Sequence, residues 1–283
     1  MKQITTTFKP AMLRVPGAEI YYEVRGSGPT LLLMPGGSAD ATTFRKMEND
    51  LAQSYTVVTY DPRGLSHSKL TAPLDDARMV QVFADDARRL LREVAGDGKP
   101  YIFASSGGAS IVLELLARHG DELEAVIAHE PPTPALLPNP AEMRAGMEKV
   151  SDTFASDGLW PAVQKFTKLI GIEGGPPPAD QGEPTPEQRE AQAVMQSNMN
   201  FFFGRYVRSI ARYEPDFASL TACSARIVAG IGEDSKGQLA HNGGVGLAAK
   251  LGSEPVVFPG AHGGFDEKPR EFAAKIREVF AAR

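Results

Sequence analysis

Apolar runs suited to buried strands recur along the chain, at residues 19–24, 30–34, 55–60, 101–104, 125–128, 226–229 and 255–258, several of them too short and too uniformly apolar for a half-exposed sheet. Stretches with apolar residues at helical spacing lie between most of them, notably 77–94, 109–118, 237–251 and 269–281. A strand buried on both faces, followed by an amphipathic helix and repeated, predicts an α/β fold with a mostly parallel sheet and helices on both faces. The alternation breaks once. Between 131 and 219 there are helical stretches and no strand candidate, and residues 174–186 read GGPPPADQGEPTP. Proline at that density keeps the backbone extended and removes donors, so a mobile loop is expected there. An insertion after the strand that ends near His129 lies over the carboxyl ends of the strands, where open α/β sheets bind ligands. The chain thus divides into a core of residues 1–130 and 220–283 and a helical cap, or lid, of residues 131–219.

Charge and composition narrow the partners. A net charge of −5 without a long basic run lacks the footprint of a nucleic-acid or anionic-membrane binder and suits a small, neutral or weakly polar molecule. The single cysteine, Cys223, forbids an intramolecular disulfide and reads as a small buried side chain. The Cys/His clusters of a zinc site are missing, so neither a metal nor another cofactor is expected. The first residues have no apolar h-region, and no apolar run approaches the roughly 18 residues that span a bilayer, so a cytoplasmic location is expected. The sequence leaves a homodimer open.

The candidate chemistry begins at Phe103-Ala-Ser-Ser-Gly-Gly-Ala-Ser110, which follows one strand candidate and opens a helix near Gly107. A side chain at the tip of so tight a turn needs small neighbours two positions before and two after. Ala104-Ser105-Ser106-Gly107-Gly108 meets that need around Ser106, whereas a nucleophile at Ser105 would put Phe103 in the crowded position. A serine here could also be a plain helix N-cap. A hydroxyl needs a base, and of the five histidines His262, in Phe258-Pro-Gly-Ala-His-Gly-Gly-Phe265, sits on a glycine-rich loop between the last strand and the last helix. His119 reads as a helix C-terminal residue, His129 ends a strand, and His67 and His241 have no evident chemical neighbours. Backbone donors for a developing oxyanion are expected from Gly107, at a helix N-terminus, and Gly37, after the strand at 30–34. Two acids compete to orient the base: Glu130, followed by two prolines, and Asp234, in a flexible Gly-Glu-Asp turn, with Glu233 a weaker third.

With these features in place, the chain resembles the α/β-hydrolases over nearly its whole length. Asp61-Pro-Arg-Gly-Leu-Ser-His-Ser68 is similar to that superfamily's D-x-R-G-x-G-x-S turn, with Ser66 replacing the second glycine. More narrowly, Ser105-Ser-Gly-Gly-Ala-Ser110, His129-Glu-Pro-Pro-Thr133 and Pro259-Gly-Ala-His262 resemble the zearalenone lactone hydrolases. The resemblance implies an α/β-hydrolase fold, Ser106 as nucleophile, His262 as base, Glu130 as acid, and Gly37 and Gly107 as oxyanion donors. It also sets Phe202 and Tyr206 where the family has substrate-facing aromatics, although aromatics at that spacing more often belong to a lid core. Those lactonases lack an acid where this chain has Glu233 and Asp234, so Asp234 stays open as the alternative, and the mycotoxin substrate is not carried over. The function expected is a cofactor-independent serine hydrolase (an esterase or lactonase) acting on a small ester or lactone. C–C hydrolysis or perhydrolysis on the same fold, and ligand binding without turnover, are the alternatives. Haloalkane dehalogenase and epoxide hydrolase chemistry both require Asp where Ser106 stands.

Overall fold

The computed structural model describes residues 8–171 and 184–282. Its sheet runs β1 (Lys9–Val15), β2 (Ala18–Gly26), β4 (Thr56–Tyr60), β3 (Thr30–Met34), β6 (Tyr101–Ser105), β7 (Ala125–His129), β8 (Arg226–Gly232) and β9 (Val256–Phe258), with β5 (Lys69–Leu70) paired to β2. From β4 to β9 every neighbour is parallel, and β1 and β2 add an antiparallel edge. The strand order reverses between β3 and β6, so the loops that leave their carboxyl ends diverge and open a crevice.

Period-2 alternation builds a core on each side of the sheet. Leu32 and Met34 of β3, Ile102 and Ala104 of β6, and Val126 and Ala128 of β7 point to one face; Leu31, Leu33, Phe103, Ala125 and Ile127 point to the other. The first face is covered by α2 (Met79–Ala95) and α3 (Gly107–His119), which bury Phe83, Leu90, Val112 and Leu116. The second is covered by α1 (Arg45–Leu51) and α11 (Pro269–Ala281), through Met47, Phe272 and Ile276. This is why the inner strands read as unbroken apolar runs: both faces are buried.

The helical stretch after β7 comprises α4 (Pro140–Asp157), α5 (Leu159–Ile170), α6 (Pro186–Phe201), a wide π turn at Phe202–Tyr206, α7 (Val207–Ala211) and α8 (Phe217–Ala222). It has a small core of its own around Met147, Val150, Ala162, Phe203 and Val207. Most of the loop expected at 174–186 lies outside the described residues; its end does not behave as a loop, because Thr185 caps α6 in a reciprocal bond with Gln188 and Pro186 is the first helical residue. The chain closes with α9 (Leu239–Leu251), β9, α10 (Gly264–Glu267) and α11. Cys223 is half-buried rather than buried, against Gly120. No helix is long and apolar enough to cross a membrane, among the described residues.

Candidate active site

Ser106 forms the turn between β6 and α3 with φ 57° and ψ −130°, a backbone conformation that side chains other than glycine rarely adopt. Its N–H donates to the His129 carbonyl at 2.9 Å, which ties the turn to the neighbouring strand. Ser105 remains in β6, buried, its Oγ 3.3 Å from His129 Nδ1. The tightness of the turn explains its small neighbours. A Cβ on Gly108 would lie 2.5 Å from the Pro35 carbonyl oxygen, and one on Gly36 would lie 2.5 Å from the Gly107 nitrogen. The loop after β3 therefore packs on the first turn of α3 backbone to backbone, bringing Gly37 and Gly107 onto one cavity with Ser106 and His262.

His262 stands on the return from β9 to α10. Gly260, at φ 83°, makes the bend, and Glu267 accepts the Ala261 N–H at 3.1 Å. The His262 Nδ1 lies 2.5 Å from Glu130 Oε2. Among the described residues His262 bonds to Glu130 and not to Ser106, a contact that in unliganded enzymes is often long and tightens around substrate.

Glu130 is wholly buried and leaves β7 with φ 52°. Its Oε1 accepts the Gly232 N–H at 2.8 Å and the Ser235 hydroxyl. Burial alone would raise its pKa; the bond from His262 and the Ser235 hydroxyl overcome this and hold it at about 2, so the group is a carboxylate. Asp234, the alternative acid, is turned away. Its N–H donates to the Gly260 carbonyl at 3.0 Å, and its exposed carboxylate pairs with Lys268 at 3.2 Å; Glu233 also faces Lys268, at 3.8 Å. Flexibility of the Gly-Glu-Asp turn is not the reason: backbone bonds to β9 and its loop aim both side chains at solvent.

His129, buried beside Glu130, stacks on His262 with ring centroids 6.1 Å apart. Burial lowers its pKa to about 3, so the ring is neutral. His129, Glu130 and His262 offer ligand atoms within 4.8 Å of one another, as a metal would need. A metal there would have to displace the 2.5 Å contact between His262 and Glu130.

The cavity, about 190 Å³, is lined by Met147, Phe166 and Ile170 from α4 and α5 and by Phe202 and Tyr206 from the π turn. Phe202 touches the space beside Gly37, and the Tyr206 hydroxyl lies 2.7 Å from where a Gly107 Cβ would stand. That hydroxyl is buried, and the Gly37 N–H faces it without the alignment of a well-formed hydrogen bond. Burial raises its pKa, and the Gly37 N–H works against the rise.

Three non-glycine residues have left-handed φ among the described residues: Ser66, Ser106 and Glu130. Ser66, at φ 46°, replaces a glycine of the D-x-R-G-x-G-x-S turn, and its N–H donates to Asn198 Oδ1 of α6 at 2.9 Å. Asn198 Nδ2 in turn donates to Ser66 Oγ at 2.9 Å and to the Ser38 carbonyl at 3.2 Å, so one buried side chain of α6 joins two loops that flank the cavity. Sequence reasoning missed Asn198, Ser235 and His241. The first two have no local signal, and His241 lies 3.0 Å from Ser235 Oγ, the neighbour not evident in the sequence; His67 has one too, Asp61, at 2.9 Å.

The sequence pattern of the alpha/beta hydrolase fold family matches residues 29–161. Over 281 residues the chain is 34% identical to the uncharacterized hydrolase YraK of Bacillus subtilis, covering 96% of each. The chain belongs to the alpha/beta hydrolase fold family. It is thus an enzyme of the hydrolase class. The hydrolase is also 30% identical over 166 residues to a zearalenone hydrolase of Cladophialophora bantiana, covering 55% of this chain and 62% of that one. Among solved structures, a thermophilic esterase from Thermogutta terrifontis superposes with a TM-score of 0.70 over 98% of both chains; at 18% identity the likeness shows the fold alone.

Proposed function

We propose that this hydrolase cleaves a carboxylic ester or lactone of a small molecule through an acyl-enzyme, with Ser106 as nucleophile, His262 as general base and Glu130 as the acid. The observation that carries this reading is the 2.5 Å contact of buried Glu130 with His262, whose ring opens on the same cavity as the Ser106 turn. Ser106 Oγ attacks the carbonyl carbon while His262 Nε2 takes its proton, and the carbonyl electrons move to the oxygen, which the N–H groups of Gly37 and Gly107 stabilise. Collapse breaks the C–O bond, and the leaving alkoxide takes the proton from His262. Water, deprotonated by His262, then attacks the acyl carbon and frees Ser106, so one water is consumed per bond cleaved. Glu130 stays ionised throughout and fixes the Nδ1–H tautomer, leaving the Nε2 lone pair for Ser106.

The helical stretch 131–219 serves as the lid, since α4, α5 and the π turn supply much of the cavity's apolar wall. Phe202 and Tyr206 contact the substrate in this reading. No Lys, Arg, Asp or Glu lines the cavity among the described residues, which favours an uncharged substrate over a carboxylate-bearing one. Incubation with a neutral organophosphonate should add a single phosphonyl group, located on Ser106 by peptide mass spectrometry, and p-nitrophenyl esters should be hydrolysed by the native chain and not by Ser106→Ala. An unmodified Ser106 with the esters left intact would end this reading.

A further inference from the structure

The far side of Glu130 carries a second set of groups that the mechanism above does not use. Ser235 is wholly buried, and its Oγ lies within bonding distance of three groups: Glu130 Oε1, the Gly232 carbonyl at 3.0 Å and His241 Nδ1 at 3.0 Å. A hydroxyl has one proton to give. The Glu130 contact is the shortest of the three, and an ionised carboxylate is the strongest acceptor, so the proton belongs there. It follows that Ser235 Oγ faces His241 with lone pairs only. A 3.0 Å contact between the two is then a hydrogen bond only if His241 carries its proton on Nδ1. His241, in the first turn of α9, is held for this: its side chain is 12% exposed and its Nδ1 is also 3.7 Å from Glu130 Oε1.

We infer that Ser235 and His241 are positioning residues for the triad acid, forming a directed chain from His241 Nδ1–H to Ser235 Oγ–H to Glu130 Oε1, with His262 Nδ1–H on the opposite oxygen. This inference rests on Glu130 being the acid. Its physical content is that one carboxylate oxygen is saturated from behind, by Ser235 and the Gly232 N–H, so that the other is committed to the imidazole. The ionisable groups that face Glu130 are His129 beside it on β7, His262 from the β9 loop and His241 from α9. Turn residues next to Asp234, at the position expected for an acid, thereby hold an acid that comes from a different strand.

Two measurements test this. Nitrogen-15 NMR of histidine-labelled protein reads the tautomer of His241 directly, without substrate; a neutral His241 should carry its proton on Nδ1, and a proton found on Nε2 instead would overturn the inference. Second, phosphonylation and ester hydrolysis are followed in His241→Asn, His241→Leu and Ser235→Ala. The Asn side chain returns an N–H near the Nδ1 position, so His241→Asn should keep kcat within about threefold, whereas His241→Leu should lose about tenfold in kcat with KM unchanged. Ser235→Ala should lose about tenfold or more and shift the acid limb of the pH profile upward, because a less satisfied carboxylate holds the His262 imidazolium more tightly. Leu and Ala variants within twofold of the native kcat would overturn it, as would an Asn variant no better than Leu. Ser106→Ala and Glu130→Gln run alongside separate the failures: if either stays active the triad reading has failed, while the NMR result stands on its own.

Discussion

Replacing Glu130 by glutamine tests the site with the smallest change of shape. An amide has one oxygen and one NH2 group, and the structure dictates which goes where. The Gly232 N–H and the Ser235 hydroxyl both donate to the Oε1 position, so the amide oxygen must stay there. The NH2 group then faces His262 Nδ1, across a gap that is 2.5 Å in the native chain. Two donors cannot share that contact, so the imidazole must accept at Nδ1 and carry its proton on Nε2, where Ser106 needs a lone pair. The lost charge adds to this: a carboxylate held at about 2, against an ordinary 4.5, reflects stabilisation of about 3 kcal/mol, achieved despite burial. A base in the wrong tautomer without its counter-charge corresponds to a rate loss of about 10³–10⁴, or about 4–5 kcal/mol in the barrier. The assay is the second-order rate of Ser106 phosphonylation, which does not depend on knowing the natural substrate, with a thermal melt to show that the variant is folded. A Glu130→Gln variant within tenfold of the native rate, with Asp234→Asn more impaired, would refute the reasoning and move the acid.

Other expected outcomes follow from the same geometry. His129, neutral and buried with a pKa of about 3, takes up its proton near 6.5 only in the unfolded chain, so its contribution lowers stability as pH falls from about 7 toward 3; at pH 5 this is about 2 kcal/mol, and urea midpoints at pH 8 and 5 should differ less in His129→Gln than in the native protein. Gly108→Ala should cost about 3 kcal/mol or more in urea melts, since its Cβ would meet carbonyl oxygens of Met34 and Pro35 at 2.6 and 2.5 Å, while Gly252→Ala, in open space and left-handed at φ 66° and ψ 31°, should cost only about 1 kcal/mol of backbone strain. Asn198→Ala strips the Ser66 N–H of its partner and the Ser38 carbonyl of a donor, for a loss of about 2 kcal/mol by the same measurement; a loss below 0.5 kcal/mol, roughly the size of a neutral surface change, would show that the link carries no load.

The inner strands were legible because burial on both faces leaves an unbroken apolar run, and the Ser106 register was legible because crowding at a tight turn excludes Phe103. The edge was not. β1 is mostly exposed and contains Pro10, and β5 is two residues long, so neither leaves an apolar run to read. Glu130 and Asp234 could not be separated from residue pattern because β7 and β8 are neighbours and both end at the site. What separates them is the direction of the backbone: the left-handed φ at Glu130 turns its side chain inward, and backbone bonds from Glu233 and Asp234 to the β9 region turn theirs out. The link from Ser235 to His241 depends on where α9 begins, two residues later than helical spacing from Gly237 indicates, and no local pattern carries that information.

The contact between the β3 loop and the start of α3 has a consequence for how such an enzyme can diversify. Because main chain meets main chain there, with no room for even a methyl group, the distance between the Gly37 and Gly107 amides cannot be tuned by exchanging neighbouring residues. In the proposed reading, variation in what the enzyme accepts therefore comes from the helices that line the cavity, which can change shape without disturbing that pair of amides.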